Sequence, residues 1–211
     1  LWIFRYFIII FNYKFNYFFC KFHLSIILFN ILMYFVFDTE TTGLSSYQHR
    51  IVSICWKIYT ENGDLFKSYY NIIKPDGFTI DNNSIATQIN GITQEIAMNN
   101  GVDINSIFNE LNNDLDLVDL LVAHNLSFDK RFLIHELNRY RRHNVLAKFL
   151  NKETYCTKLK SSEYNNGRWM KLCDLYKLFF NDIDYNEHNA EGDVDACAKC
   201  FFMMEQNIVI D

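Results

Sequence analysis

Proline occurs once, at Pro75, and glycine only seven times. No Pro-, Gly- or Ser-rich stretch interrupts the chain, so no flexible linker divides it. Its 211 residues, half of them hydrophobic, suffice for one domain with a real core and not for two. Cysteine builds no scaffold either. The six copies are scattered, and only Cys197 and Cys200 stand at C-x-x-C spacing. No second pair with zinc-ligand spacing accompanies them, and their surroundings, 193–204, read as a helix. Reduced core thiols in an intracellular protein are the better reading. Positive charge is in deficit too. A formal net charge of −5 excludes wholesale coating of nucleic acid, yet leaves room for a local grip on a few phosphates.

What positive charge there is lies unevenly. Nine Lys and Arg residues fall between Arg139 and Lys171, against two acids, Glu153 and Glu163. That run is either a solvated, partly helical face or a phosphate-contacting edge beside an acidic site.

Residues 1–32 are almost wholly apolar and aromatic, broken by Arg5, Lys14 and Lys21. A membrane span needs about 20 mainly apolar residues, and no small-residue cleavage site marks a signal peptide. Three readings compete: translated sequence upstream of a start at Met33, a membrane anchor, or a packing extension. The first is favoured, because Met33 stands just before a strand. The expected layout is an N-terminal extension, 1–32, and a domain, 33–211. Membrane attachment is expected only if the extension is an anchor.

Residues 34–37 are aromatic and β-branched, a buried-strand signal. Residues 50–59 and 65–73 read as two further strands. Asn62-Gly63 between them is a strong hairpin signal. Short helical turns are expected in 80–98, a helix over 104–115, a fourth strand over 118–123, and an amphipathic helix over 127–142. Two more helices are expected at 171–180 and 193–206. Strands followed by interleaved helices and strands give an α/β domain with a mixed sheet.

Three segments carry chemistry. In Phe37-Asp38-Thr39-Glu40 the period-two alternation of a strand puts Asp38 and Glu40 on one side. Two carboxylates with no intervening Lys or Arg repel each other unless a cation fills the gap. Such hard oxygen ligands suit Mg²⁺ or Mn²⁺. In Asn125-Leu126-Ser127-Phe128-Asp129 a strand gives way to a helix, with Ser127 a candidate cap and Asp129 in the first turn. In His188-Asn189-Ala190-Glu191-Gly192-Asp193 a histidine precedes a helix whose first turn holds an acid. Taken singly, each acid has an ordinary explanation as a charge favoured by the helix dipole.

Together, D-x-E, N-x-x-F-D and H-x-x-x-x-D, in that order and about 90 and 60 residues apart, resemble the DEDDh group of 3′→5′ exonucleases. Its members include the proofreading (epsilon) subunit of bacterial DNA polymerase III, ribonuclease T and oligoribonuclease. The likeness spans 33–204. Lys74-Pro75, Ile89-Asn90-Gly91-Ile92-Thr93 and Cys156-Thr157-Lys158-Leu159 also resemble family segments, the last as the strand before the final helices. Asn90 departs from the histidine that many relatives carry.

The resemblance implies a ribonuclease H-like fold with a central mixed sheet of about five strands. It implies two divalent ions, Mg²⁺ or Mn²⁺: one held by Asp38, Glu40 and Asp193, and a second to which Asp38 bridges, helped through water by Asp129. Such ions clamp the attacking and leaving oxygens of an in-line displacement. His188 is implied as the general base. Thr41, Thr42, Leu44, Asn125 and Phe128 are implied contacts to the terminal nucleotide, with Leu44 as a wedge against its base. The expected substrate is the 3′ end of single-stranded DNA, with RNA as the alternative and a DNA polymerase as a candidate partner.

Overall fold

The computed structural model describes residues 32–181, 189–206 and 210. The three readings of the N-terminal extension fall on residues outside that set, save Leu32. Among the described residues, no helix is long and apolar enough to cross a membrane.

Three strands open the domain. β1 is Met33–Thr41, β2 Ile51–Thr60 and β3 Leu65–Ile72, joined as an antiparallel meander. The β2–β3 turn closes where expected: Gly63 takes φ 87°, which a side chain would resist, and its N–H donates to Thr60 O. Three helices follow: α1 Ile85–Asn90, α2 Gln94–Asn100 and α3 Ile104–Asp114. The chain re-enters the sheet as β4, Leu120–Ala123, continues as α4, Leu126–Arg139, and α5, His143–Leu150, and returns as β5, Glu153–Cys156. A short helix, α6 Thr157–Lys160, runs into a 3₁₀ turn at Ser161–Tyr164, before α7, Leu172–Phe180, and α8, Ala190–Gln206. The sheet order is β3-β2-β1-β4-β5, with β4 parallel to both neighbours. The expected α/β domain with a five-stranded mixed sheet is what forms.

Both faces of the sheet are covered. Phe35, Phe37, Trp56 and Ile58 point into a core shared with α3, α4 and α5, while Tyr34, Val36 and Cys55 pack against α7 and α8. Burial on two sides makes β2 hydrophobic almost throughout. Small α8 residues, Ala196, Cys197, Ala198 and Cys200, sit in the second core. Burial holds both cysteine thiols well above their ordinary pKa, and Cys197 Sγ lies 3.6 Å from Thr157 Oγ1. The structure treats this pair as core.

Several local expectations need correction. Cys156 to Leu159 is not a strand: β5 ends at Cys156, and Thr157, fully buried and 2.9 Å from His124 Nδ1, starts a helix. Ser127 does not cap α4. It is exposed inside the helix, and Asn125 is the capping position, left-handed at φ 68° with no side-chain capping bond. α4 stops at Arg139 rather than 142, because Arg141 turns left-handed at φ 53°. β4 begins at Leu120, after Asp119 N–H has donated to Met33 O.

A buried ion pair ties the meander to α4. Glu136 is fully buried and takes a two-point bond from Arg50, Nε to Oε1 at 2.7 Å and NH2 to Oε2 at 3.0 Å. Arg139 adds a bond to Oε1 at 3.0 Å. Glu136→Ala strands two partly buried guanidiniums, so urea unfolding should show a loss of about 3–5 kcal/mol. A loss under about 1 kcal/mol would show that water replaces the carboxylate.

Candidate metal centre

The alternation of β1 distributes the site. Even residues face α8, so Asp38 and Glu40 project beside Asp193 in that helix's first turn. One carboxylate oxygen from each of Asp38, Glu40 and Asp193 lies within 4.8 Å of the others. Odd residues face α4, and Thr39 meets that helix. β1 and β4 pair only at Tyr34–Val36 with Leu120–Val122, so farther along β1 the Thr39 N–H has no strand to bond. Asp129 Oδ1 takes it at 3.1 Å, and takes the Thr39 hydroxyl at 2.7 Å. The fourth acid is thereby fixed at the parting of the strands, 2 % exposed. The carboxyl ends of β1 and β4 are where open α/β sheets hold ligands. His188 lies outside the described residues.

Electrostatically the cluster is unstable by itself. Loss of contact with water pushes the Asp38 carboxyl well above its ordinary value, and Asp129, Asp193 and Glu40 add repulsion. Burial, then Asp193 and Asp129, raises Glu40 to about 7. Burial also raises Asp129 to about 7, against the pull of the two Thr39 bonds, with Asp193 adding repulsion. A divalent cation would reverse this balance. An all-oxygen, multiply anionic donor set fits Mg²⁺ or Mn²⁺ and offers nothing to select a soft metal.

Comparison with known proteins accounts for such a cluster. The family model described as Exonuclease (RNase_T) matches residues 35–201. The chain belongs to this exonuclease family. Among relatives, the PolC-type DNA polymerase III of Bacillus subtilis is 28 % identical over 183 residues, 81 % of this chain and 11 % of the relative. The DNA polymerase III subunit epsilon of Treponema pallidum is 28 % identical over 171 residues, 80 % of this chain and 74 % of the relative. Among solved structures, the zinc-bound E. coli exonuclease I–ssDNA complex superposes with TM-score 0.69 at 17 % identity, over 84 % of this chain and 41 % of that one. The same enzyme with a dA16 oligonucleotide gives 0.68, at 17 % identity over 83 % and 42 %. The domain thus has the ribonuclease H-like fold that its motifs implied. It spans about a tenth of the PolC-type relatives and under half of exonuclease I.

The remaining predicted positions of this exonuclease-family domain neighbour the acids in the chain: Thr41, Thr42 and Leu44 follow Glu40, and Asn125 and Phe128 precede Asp129. Thr41 is buried, its hydroxyl donating to Gly43 O. The Thr42 hydroxyl meets His49 Nδ1 at 3.1 Å and accepts from Arg50 N–H. Leu44 is 84 % exposed. Phe128 is partly buried against Phe132, with ring centres 4.9 Å apart, so packing holds at least one of its faces. Asn125 Oδ1 lies 3.5 Å from Lys158 Nζ.

Sequence reading missed three supports. Thr39, the middle residue of D-x-E, anchors Asp129, and strand alternation pointed to it. Asn90 donates to Thr41 O at 3.1 Å and accepts from Ile92 N–H, so this departure from the family pattern pins the end of β1. Arg139 donates to Ser46 O and Tyr47 O, fastening the loop that carries Leu44. Nothing in the sequence marks it off from its basic neighbours.

The raised carboxyl pKa values predict a pH dependence. An acid whose folded pKa exceeds its unfolded one stabilises the fold below the unfolded value, and that stability is lost as pH rises through the folded value. For Glu40 and Asp129 the window runs from about 4 to about 7. In EDTA, Tm should therefore fall between pH 5 and pH 8 by at least about 3 °C more in the wild type than in Asp38→Asn, given about 2–4 °C per kcal/mol for a chain of this size. Mn²⁺ should restore most of that loss at pH 8. Parallel curves for the two proteins would mean that the acids do not repel as the geometry requires.

Proposed function

We propose that this chain is a DEDDh-type 3′→5′ exonuclease that hydrolyses the last phosphodiester of single-stranded DNA and releases nucleoside monophosphates. The observation that carries this reading is the convergence of Asp38, Glu40 and Asp193 at one end of β1, with Asp129 locked beside them by Thr39. When bound there, two divalent ions would supply the positive charge that polarises the phosphate and lowers the pKa of the attacking water. Asp38, Glu40 and Asp193 would hold that charge, and Asp129 would complete the donor set. His188, five residues before Asp193 in sequence, takes the proton of the attacking water. The backbone of Thr41 and Thr42 receives the terminal nucleotide, Leu44 wedges against its base, and Asn125 and Phe128 bound the opposite side. Contacts of this type read stacking and backbone rather than sequence.

The named activities of the relatives in DNA replication support DNA as substrate and a DNA polymerase as partner. RNA shares the phosphodiester chemistry and is the other arm of the test. In Mg²⁺ the full chain should shorten 5′-labelled single strands from the 3′ end, and EDTA or Asp38→Ala should abolish the ladder. The faster of matched DNA and RNA strands assigns the substrate. A folded, metal-binding chain without a ladder on either would sink the proposal.

His188→Ala should lower kcat roughly 10²–10⁴-fold, the usual worth of a placed base. The wild-type rate should rise from mildly acidic to alkaline pH as the base loses its proton. A flat profile between pH 6 and 9 would remove His188 from that role.

A further inference from the structure

The basic run between Arg139 and Lys171 is sorted by the fold into two groups. Five of its cations are engaged structurally. Arg139 holds Glu136 and the Ser46 and Tyr47 carbonyls, Arg142 bonds Asn105, Lys148 pairs with Asp116, Lys152 bonds Val118 O, and Lys160 pairs with Glu163. Among the described residues, Arg141, Lys158, Arg168 and Lys171 have no ion pair. One of these four, Lys158, sits over an aromatic residue, and two others lie close to that residue in sequence. Arg168 and Lys171 flank Trp169 closely in sequence, and Lys158 Nζ sits 4.1 Å above the Trp169 ring. Trp169 is 57 % exposed, although burying an indole is among the larger hydrophobic gains open to a chain. Leu159, next in the chain to Lys158, is 69 % exposed.

The location matters as much as the composition. Lys158 Nζ also reaches Asn125 Oδ1 at 3.5 Å, and Asn125 starts the helix whose first turn carries Asp129. An exposed ring with a cation across part of it is therefore tied through Asn125 to the helix that carries Asp129. This is the chemistry by which proteins hold unpaired bases, with stacking on an aromatic face and cations along the phosphates.

We propose that Trp169 and Lys158 form a stacking subsite for single-stranded nucleic acid, taking a base beyond the terminal nucleotide while Lys158 meets its phosphate. The inference rests on the exonuclease reading for its direction, but it makes its own prediction about binding. It explains how a chain of net charge −5 retains an anionic strand: a cation stands beside the site, while Arg139, Lys148 and Lys160 of the same run are paired with acids.

The test uses the full chain and an eight-nucleotide single strand of deoxythymidylate. Trp169→Ala should raise KM roughly five- to 150-fold, the worth of one stacked base at 1–3 kcal/mol, with kcat changed less than about two-fold. Trp169→Phe should recover most of the loss, which a purely structural defect would not allow. Lys158→Gln should reduce the dependence of log KM on log salt by about 0.7, one single-strand phosphate contact. If the wild type proves to have no nuclease activity, Trp fluorescence decides the matter separately. Quenching by the oligonucleotide that disappears in Trp169→Phe would uphold the subsite and discard only the exonuclease reading. Unchanged KM in Trp169→Ala, or in an inactive chain no quenching assignable to Trp169, overturns it.

Discussion

Repulsion among four carboxylates at the end of one strand is the constraint around which the rest of the domain is arranged. No arrangement of Asp38, Glu40, Asp129 and Asp193 is comfortable without a cation, because burial and neighbouring carboxylates, Asp193 among them, raise Asp38, Glu40 and Asp129. The fold tolerates the cluster by sharing the cost between the faces of the sheet. Asp38 and Glu40 are carried by β1 towards α8, whereas Asp129 arrives from α4 on the other side and is held by Thr39. The two Thr39 bonds stabilise the charged form of Asp129, so this acid is placed by the protein before any metal arrives. The other three are placed mainly by the backbones of β1 and α8.

Rigid support for such a site must come from neutral or fully paired groups, since further unpaired charge would alter the cluster. The network around Glu136 meets that condition. Arg50 and Arg139 converge on the Glu136 carboxylate, the Tyr140 hydroxyl accepts from Arg50, and the same Arg139 grips the carbonyls of the β1–β2 loop. Arg50 also lies 4.4 Å above the Phe78 ring. β1, its following loop and α4 are thus joined by charge-assisted bonds far stiffer than loop contacts alone. Leu44, the proposed wedge, stands exposed on a loop that Arg139 anchors behind it. A mobile loop would lose the entropy of ordering on every turnover.

What could be read in the sequence, and what could not, follows from the range of the interactions. The strand alternation of Asp38 and Glu40 and the Asn62-Gly63 hairpin are local, and both are legible within a few residues. β5 is misplaced by the sequence, at 156–159, because it is four residues long, with Glu153 and Thr154 exposed, and so lacks any apolar period. α5 was missed for a related reason: only Val145 and Phe149 of its eight residues are buried. Ser127 was a reasonable cap by composition, yet the left-handed Asn125 shifts the helix start by a residue that no propensity reveals. Asn90 reads as a mere departure from a family pattern until its bond to Thr41 O is seen across 49 positions. The convergence of Asp129 and Asp193 upon β1 was legible only as a resemblance, because separations of about 90 and 60 residues carry no geometry of their own.

Charge shows the same division between composition and placement. A net charge of −5 suggests a chain indifferent to nucleic acid, and the nine cations of the run from Arg139 to Lys171 suggest the opposite. Neither total describes the surface, because five of those cations are consumed in holding helices, loops and strand ends together. What decides affinity is the small remainder and its position. An anionic strand approaching a bare carboxylate cluster is repelled, and metal ions remove that repulsion only within the first few ångströms. Attraction that reaches the adjoining nucleotides has to come from fixed cations at the rim, within about a Debye length of 8–10 Å at ordinary salt. Lys158, held over Trp169 and against Asn125, is the described cation that the hydrogen bonds tie to that rim.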